Sequence, residues 1–577
     1  MPHLENPLPP RFVPGSWTLL IVVVLLFSGP VVAGADPAVG HPATAPAGMV
    51  VAPELHAAEV GRRVLREGGN AIDAAVASSF MLSVTYPLAA PIGGGGFLLY
   101  RDENADHHAL DFRERAPKSL TPELFLDEQG QVIAGLSLDS GLAVGVPGSV
   151  AGLYGAHRRW GSRPWKALLQ PAIDLATEGF VVDRFLAGTL TKSVTHLERH
   201  RENDALLQLD EGQTLTQPDL ARTLRRIQRR GPDGFYRGPV ARAITRTVRR
   251  HGGVMQADDL RGYRATEREP LRGSYRGFSI VTFPPPSSGG AVLLQILGML
   301  ELQGPLAGVA IHPQVEACRR AYADRARWMG DPDSYDVPLA GLTDRRYLQE
   351  RIADIDPVNA TPSDRVTHGA PIETPPGDDD ETLHLSITDA EGRAVAMTLT
   401  LNRWYGTGFV ADGTGVFLNN ELDDFALQPG VPNLYGLIGG EANAVAGGRR
   451  PLSSMTPVVV EDGDERVRMV LGSPGGSRII TAVLQVLLRH LSGQPIEAAV
   501  SAQRWHHQWL PDQLQIETMP HDGTSIPDTL LQDLRDRGHQ IVIRDTSFGS
   551  VGAIVRDADG RWVGAPDPRR DGVARGY

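Results

Sequence analysis

The segment from Thr382 to Thr400 constrains the fold more tightly than any other part of this sequence. In its two halves, before and after a short loop, apolar residues alternate with polar ones, which is the pattern of a β-strand. The loop is Ala390-Glu391-Gly392, and a glycine in its last position can take the left-handed conformation that such hairpin loops require. The sequence therefore predicts a β-hairpin here.

One register of this hairpin separates apolar from polar side chains. It places on one face three apolar pairs: Leu383 with Leu399, Leu385 with Met397, and Ile387 with Val395. The other face sets Thr382 opposite Thr400, with His384 and Thr398 beside them, whereas a shift of one residue would mix both classes on both faces. An ordinary half-buried hairpin with a Thr–Thr contact fits these residues, and so does a site built on two hydroxyls.

Composition limits the class of protein. A chain of 577 residues exceeds one ordinary core, so we expect two lobes or one large layered domain. Its 41% hydrophobic and 21% charged residues are typical of a soluble globular protein, and a net charge of −12 argues against a nucleic-acid partner. Cys318 is the single cysteine, so no intrachain disulfide can form, and a buried helical thiol is the favoured interpretation.

Residues 1–35 have the pattern of a signal peptide. Arg11 precedes an apolar run over 19–27, and Ala33-Gly34-Ala35 provides a small-residue cleavage site. An uncleaved membrane anchor is the alternative, although the run is short for a spanning helix. In either case we expect the body of the chain to be exported, to the periplasm or the medium.

The rest of the chain mixes helical and strand patterns, with strands joined by hairpins, which predicts a layered α+β fold. Asn70, with Asp73 three residues later, predicts the start of an alanine-rich buried helix. Glycines 93–96 precede a strand instead of a helix, so a close backbone approach explains them better than a phosphate-binding loop. Residues 354–380 are polar and proline-rich, as in an exposed linker.

Several short motifs together resemble the γ-glutamyltranspeptidases, a family of N-terminal-nucleophile hydrolases, over nearly the whole chain after the leader. In chain order they are the glycines 93–96, Asp111-Phe112-Arg113-Glu114, Thr382-Leu383-His384-Leu385-Ser386, Thr400-Leu401-Asn402, residues 418–425, Arg450-Pro451-Leu452-Ser453-Ser454-Met455 and residues 472–478. The resemblance implies a four-layer αββα sandwich. It also implies a precursor that divides into a signal peptide (1–35), a large subunit (36–381) and a small catalytic subunit (382–577).

The expected chemistry starts from Thr382 as a new chain terminus. An N-terminal threonine carries its own base, the freed α-amine, whose ordinary pKa is near 8. We therefore expect self-cleavage between Glu381 and Thr382, after which the same hydroxyl is the catalytic nucleophile. By resemblance, Thr400 belongs to the catalytic set, and the backbone of Gly475 and Gly476 forms an oxyanion hole. Leu383 departs from the threonine that commonly follows the nucleophile in the family, so we expect weaker local hydrogen bonding around Thr382.

The resemblance also assigns a zwitterionic binding site. Arg113 with the hydroxyls of Ser453 and Ser454 would hold an α-carboxylate, for which a guanidinium is well shaped. For Arg113, a salt bridge to a neighbouring acid is the alternative. The α-ammonium group would be held by Asp424, Glu421 (where the family uses Gln or Glu) and Asn402, while Tyr435 belongs to residues 429–440, which resemble the family's lid and are called the lid segment below.

These residues imply a γ-glutamyltransferase and glutathione hydrolase, which transfers a γ-glutamyl group to water, amino acids or peptides. Its two subunits would form a heterodimer, and no cofactor or metal is expected. The adjacent histidines of Arg504-Trp505-His506-His507-Gln508-Trp509 lack further ligands nearby and are interpreted as structural. Two alternatives are an acylase of the same fold that acts on β-lactam side chains, and a catalytically inactive exported binding homologue.

Overall fold

The computed structural model describes residues 40–89, 91–200, 203–305, 307–368, 382–518 and 523–577. These residues belong to one compact unit, Pro37–Tyr577. The predicted leader, Glu381 and residues 369–380 of the predicted linker lie outside the described ranges.

Two antiparallel seven-stranded sheets lie at the centre of the described structure. Sheet I has the spatial order Val573–Gly576 (β21), Met49–Ala52 (β2), Thr382–Thr388 (β10), Ala394–Thr400 (β11), Gly95–Arg101 (β3), His107–Asp111 (β4) and Thr266–Arg268 (β7). Sheet II has the order Ala43–Ala45 (β1), Trp562–Ala565 (β20), Gly552–Arg556 (β19), Val467–Gly472 (β15), Val458–Glu461 (β14), Phe278–Thr282 (β9) and Leu271–Tyr275 (β8). Smaller sheets pair Phe180–Val181 (β5) with Thr214–Leu215 (β6), Val410–Ala411 (β12) with Val416–Phe417 (β13), and Trp505–His506 (β16) with Leu514–Glu517 (β17) and Ile541–Arg544 (β18).

The predicted hairpin is confirmed as β10 and β11, in the middle of sheet I. Its pairs follow the predicted register from Thr382 with Thr400 to Ile387 with Val395, and Gly392 has a φ of 79°. The expectation of a half-buried hairpin is wrong, because every residue of both strands is buried. The apolar face packs in a core with the helices over sheet I, while His384 on the polar face lies against Gly472 and Gly552 of sheet II.

Helices cover the outer face of each sheet. In chain order the described helices are Leu55–Arg66 (α1), Ala71–Thr85 (α2), Leu136–Asp139 (α3), Ser149–Trp160 (α4), Trp165–Glu178 (α5), Arg184–Lys192 (α6), Val194–Leu197 (α7), Asp204–Leu207 (α8), Pro218–Arg230 (α9), Asp233–Tyr236 (α10), Gly238–Arg250 (α11), Ala257–Gly262 (α12), Gly289–Leu302 (α13), Ile311–Trp328 (α14), Leu339–Thr343 (α15), Arg345–Ile352 (α16), Ile479–Leu491 (α17), Ile496–Ser501 (α18) and Asp528–Asp536 (α19). Helices α1, α2, α4 and α5 share a core with sheet I, and α13, α14 and α17 share one with sheet II. The resulting order, helix–sheet–sheet–helix, confirms the predicted four layers.

Helix α2 illustrates how the sequence sets this packing. The Asn70 side chain accepts from the backbone N–H of Asp73 at 3.0 Å, and the Asp73 carboxylate accepts from the N–H of Asn70 at 3.1 Å, which is a capping box as predicted. Every residue of α2 is buried, because its small side chains allow sheet I and the neighbouring helices to approach closely. In the described ranges, no single helix is long and apolar enough to cross a membrane. Helix α2 reaches that length and apolarity only when the short helical turns up to Gly93 are counted with it, and the chain bends by 111° between the two parts.

Two further expectations have clear outcomes. Cys318 is buried within α14, as predicted, and burial raises the pKa of its thiol well above the ordinary value. The expectation of an exposed linker is wrong at Ser363, which is 1% exposed. The Ser363 hydroxyl donates to the Trp509 carbonyl at 2.7 Å and its N–H donates to Asp512 at 2.8 Å, so this part of the chain is packed against the C-terminal half.

Candidate active site

A cavity of about 260 Å³ opens at the free end of the β10–β11 hairpin. It brings together residues that are up to several hundred positions apart in the chain. Apart from Gly475 and Glu381, which lies outside the described residues, its lining contains every predicted site residue, together with two apolar neighbours: Arg113, Thr382, Thr400, Asn402, Glu421, Asp424, Tyr435, Ser453, Ser454, Gly476, Met455 and Ile479. The grouping that the resemblance implied is therefore present in the structure.

The candidate nucleophile, Thr382, is the first residue of β10 and is 4% exposed. Thr400 lies opposite it on β11, and the Thr400 hydroxyl accepts from the N–H of Asn402 at 2.8 Å. A side chain on Gly94 would place its Cβ only 1.8 Å from the Thr400 carbonyl oxygen, so the close backbone approach predicted for these glycines is confirmed. The Thr382 carbonyl accepts from Arg570 at 3.3 Å, a contact that the sequence motifs did not indicate.

Gly476 shares the cavity lining with this hydroxyl pair, and it follows Gly475 at the start of a helical turn. Both residues have positive φ values, 134° and 49°, and the turn Gly476–Arg478 leads directly into α17. The first N–H groups of such a turn have no partner within the helix, so they are available to an oxyanion. A Cβ on Gly476 would lie 2.4 Å from the Tyr435 ring, which explains why glycine is needed here.

Arg113 is the cation of the cavity, and in this structure it binds the acids that face it. Its guanidinium contacts Glu421, and donates to Asp424 at 2.5 Å and to the carbonyls of Pro451 and Leu452 at 3.1 and 3.2 Å. Burial opposes the charged form, but Glu421 and Asp424 outweigh it and raise the pKa of Arg113 above its ordinary value. The two interpretations of Arg113, a salt bridge to a neighbouring acid and a binding group for a carboxylate, are therefore compatible. A salt bridge within the cavity can open when a carboxylate and an ammonium group enter together.

The acids of the cavity are buried, which changes their charge. Desolvation is the main cause that raises the pKa of Glu421 to about 8, even though Arg113 lowers it. Desolvation likewise raises the pKa of Asp424 and of Glu114, the buried residue that follows Arg113. Near neutral pH the cavity therefore carries less negative charge than its two carboxyl groups, Glu421 and Asp424, suggest.

The two adjacent aspartates have different surroundings. Asp424 faces the cavity, where it contacts Arg113 and accepts from the Asn433 side chain at 2.9 Å. Asp423 faces away, and accepts from the Ser137 hydroxyl at 2.6 Å and from the N–H of Leu434 at 2.8 Å. Asp423 therefore anchors the lid segment, while Asp424 is available to a ligand.

Tyr435 of the lid segment closes one side of the cavity. Its hydroxyl lies 2.7 Å from both the carbonyl oxygen and the side-chain oxygen of Asn402, a residue held at a φ of +73°. On its other side, the Gln508 side chain donates to the Tyr435 carbonyl at 3.0 Å. Gln508 also contacts His506 at 2.8 Å, so this histidine supports the lid segment indirectly.

Ser453 and Ser454 are held by the proline turn that precedes α13 and by a residue of α14. The N–H of Ser453 donates to the Pro286 carbonyl at 2.8 Å, and Ser288 donates to the Ser453 carbonyl. Arg325 of α14 donates to the Ser454 hydroxyl at 3.4 Å. Sequence reasoning missed Arg325, because nothing in the helical pattern around it marks a site.

The paired histidines have protein partners. His506 contacts the Thr481 hydroxyl and Gln508 at 2.8 Å each, and His507 contacts Asp512 at 3.2 Å. Burial lowers the pKa of His506 to about 3 and that of His507 to about 4, so both are neutral. In the part of the chain that the structure describes, no group of His, Cys, Asp and Glu residues could hold a metal ion.

Comparison with known proteins gives the family. The family model described as gamma-glutamyltranspeptidase matches residues 57–577. The chain belongs to the γ-glutamyltranspeptidase family. It is 43% identical over 562 residues to the glutathione hydrolase proenzyme of Escherichia coli (strain K12), and the match covers 95% of each chain.

Two solved structures extend the comparison. A cephalosporin acylase from Bacillus halodurans superimposes with a TM-score of 0.80 at 26% identity, and covers 96% of this chain and 99% of that one. A chain of the Helicobacter pylori γ-glutamyltranspeptidase has a TM-score of 0.53 at 41% identity, and covers 54% of this chain and 92% of that one. Members of this group are N-terminal-nucleophile hydrolases with αββα sandwiches, in agreement with the layers described above.

Proposed function

We propose that this protein is a γ-glutamyltransferase and glutathione hydrolase that becomes active by cutting itself before Thr382. The observation that carries the proposal is a single cavity that holds a threonine hydroxyl at the start of β10, an arginine with two serines, and two carboxyl groups. The E. coli relative, named a glutathione hydrolase proenzyme, supports the same activity. The donors are glutathione or other γ-glutamyl compounds, and the acceptors are water, amino acids or peptides.

Maturation uses the Thr382 hydroxyl against the preceding peptide bond. Its oxygen attacks the Glu381 carbonyl carbon, the bond from that carbon to the Thr382 nitrogen breaks, and an ester results. Water then hydrolyses the ester, which leaves a Glu381 carboxylate and a Thr382 with a free amine and a free hydroxyl. Glu381 lies outside the described residues, whereas Thr382 and its partner Thr400 line the cavity.

Turnover uses the same oxygen with the new amine as its base. The amine accepts the hydroxyl proton, and the oxygen attacks the γ-carbonyl carbon of the donor. Charge on the carbonyl oxygen is stabilised by the N–H groups at Gly475 and Gly476. The leaving amine departs with the proton, and water or an acceptor amine then takes the γ-glutamyl group from the threonyl ester.

The donor's head group is bound by opposite charges. Its α-carboxylate binds Arg113, Ser453 and Ser454, and its α-ammonium binds Asp424, Glu421 and Asn402. The α-carboxylate of the donor takes the place of the acids beside Arg113, and its α-ammonium takes the place of Arg113 beside the acids. No buried charge therefore loses its partner.

The predicted processing defines two subunits that remain together as a heterodimer, residues 36–381 and 382–577. The H. pylori chain supports this, because almost all of it matches only about half of this chain. We also propose that residues 1–35 direct export to the periplasm or the medium, since their pattern is that of a signal peptide.

The rival activity is that of an acylase on β-lactam side chains, which the B. halodurans acylase supports through its similar fold. A glutaryl donor lacks the α-ammonium group, so it would leave Asp424 and Glu421 without a partner. Release of p-nitroaniline should therefore be at least about 100-fold faster from the γ-glutamyl anilide than from the glutaryl anilide. A preference for the glutaryl anilide would support the acylase, and release from neither would support the inactive homologue.

A further inference from the structure

Arg325 is a buried cation immediately behind the serine pair of the cavity. It lies in α14 and is 4% exposed. Its Nε donates to the Ser288 hydroxyl at 2.9 Å and its Nη2 donates to the Ser454 hydroxyl at 3.4 Å. Ser454 lines the cavity, so one side chain separates Arg325 from the space that a ligand would occupy.

This guanidinium contrasts with the other cation of the site. Arg113 contacts two carboxyl groups directly, whereas no ion pair among the described residues includes Arg325. Desolvation lowers the pKa of Arg325, and Asp424 acts on it only from a distance, so a positive charge is held in the interior without a contacting counter-charge. Such a charge is costly unless an anion compensates for it.

The hydrogen-bond directions indicate where that anion lies. Because Arg325 donates to the Ser454 oxygen, the Ser454 hydroxyl proton is free to point away from the helix and into the cavity. The Ser453 hydroxyl is oriented similarly, since its oxygen accepts from the N–H of Met455 at 3.1 Å. Each of these two hydroxyl oxygens accepts a hydrogen bond, which polarises its O–H group and makes it a stronger donor to an anion in the cavity.

We propose that Arg325 is a specificity-determining positioning residue, which acts through Ser454 to bind the α-carboxylate of the donor. The inference rests on the proposed function, because it takes a γ-glutamyl compound as the ligand. It predicts that the α-carboxylate experiences two cations, Arg113 by direct contact and Arg325 through the serine hydroxyl.

The test compares Arg325→Gln with the wild type on three anilides. These are the γ-glutamyl compound, the glutaryl compound (which keeps the carboxylate and lacks the ammonium) and the 4-aminobutyryl compound (which lacks the carboxylate). For the γ-glutamyl anilide we expect KM to rise about 30- to 100-fold with kcat changed less than about 3-fold, because ground-state and transition-state binding are lost alike. The glutaryl compound should lose a similar factor in kcat/KM, whereas the 4-aminobutyryl compound should change less than about 3-fold.

The matched control is Arg327→Gln, two positions along the same helix, where the side chain is exposed and lies over the Trp328 ring. It should leave all three donors unchanged. An equal loss on all three donors in Arg325→Gln would indicate a purely structural role and overturn the proposal, as would the absence of any loss. If the wild type itself fails on the γ-glutamyl anilide, the proposed function is wrong, which is a different outcome.

A second variant covers the case in which Arg325→Gln does not fold or does not process. Arg325→Lys keeps the charge but replaces the two guanidinium nitrogens that contact Ser288 and Ser454 with a single ammonium nitrogen, so KM for the γ-glutamyl anilide should rise about 3- to 10-fold with kcat retained. A KM equal to that of the wild type would contradict the role assigned to the guanidinium.

Discussion

Arg113 and Glu421 show how single residues set the charge of this cavity. Each is almost completely buried, and each is the strongest electrostatic partner of the other. A salt bridge at this depth costs desolvation on both sides, so it contributes little net stability. This salt bridge matters for function, because Arg113 can exchange Glu421 for the carboxylate of a bound zwitterion while Glu421 binds its ammonium group.

The raised pKa of Glu421 predicts a pH dependence of stability. The folded value is about 8 and the ordinary value is 4.5, so the folded state binds this proton more tightly than the unfolded chain does. Glu421 therefore lowers the free energy of unfolding progressively as pH rises from about 4.5 to about 8. The glutamine in Glu421→Gln cannot ionise, so this variant does not lose that stability as pH rises. The Tm of the variant minus the Tm of the wild type, measured by calorimetry, should therefore increase by about 2–5 °C from pH 5 to pH 9.

The control for this prediction is Glu441→Gln, an exposed residue immediately after the lid segment. Its Tm difference from the wild type should not vary with pH. A difference for Glu421→Gln that is flat or falls with increasing pH would show that the pKa of Glu421 is not raised in the folded state.

At the scale of elements, the site depends on the β10–β11 hairpin and the lid segment. The hairpin brings Thr382 and Thr400 together by backbone pairing. The lid segment contacts this part of the site through Tyr435, whose hydroxyl contacts Asn402. Asp423 holds the lid segment by accepting from the N–H of Leu434. Opening of the lid segment would uncover the cavity, so we expect these contacts to affect donor binding.

Tyr435→Phe removes the hydroxyl contacts to Asn402, each 2.7 Å long, and keeps the ring against Gly476. We expect KM for the γ-glutamyl anilide to rise about 5- to 10-fold, with processing and Tm nearly unchanged, because only closure is weakened. The control is Tyr154→Phe, a half-buried tyrosine whose hydroxyl makes no hydrogen bond within the described ranges. Unchanged KM in Tyr435→Phe would show that the lid segment is held by its backbone alone.

How much the sequence predicts depends on how local the determinants are. The hairpin register could be predicted, because a single slip would mix apolar and polar residues on both faces. The separate roles of Asp423 and Asp424 could not, because they depend on Ser137 and Arg113, far away in the chain. Arg325 was missed for the same reason, since its partner Ser454 is 129 residues away and its own helix has an ordinary pattern.

At the scale of the whole molecule, the proposed subunits are interleaved. Sheet I takes β10 and β11 from the C-terminal part and β3 and β4 from the N-terminal part, so neither could form it alone. A second junction joins Ser363 and Arg319 to Asp512 and Trp509. We expect contacts of this kind to hold the two proposed subunits together after processing.

Asp512→Asn tests that junction. Asp512 contacts Arg319 and accepts from the N–H of Ser363, and these partners lie in the other proposed subunit. We expect the Tm of the processed protein to fall by about 2–5 °C, and that of a Thr382→Ala precursor to fall less, because the covalent chain keeps its halves together. Asp536→Asn, an exposed residue of α19, should change neither, and an equal fall in both forms would contradict a role in subunit association.

The central claim is that Thr382 becomes a chain terminus, and intact-mass measurement of the purified protein tests it most directly. The wild type should give a chain that begins at Thr382 and ends at Tyr577, together with a separate large chain that ends at Glu381, while Thr382→Ala should give one uncut chain without transferase or hydrolase activity. An active wild-type protein with one continuous chain through residue 382, or a Thr382→Ala protein that is cut at the same bond, would contradict the account.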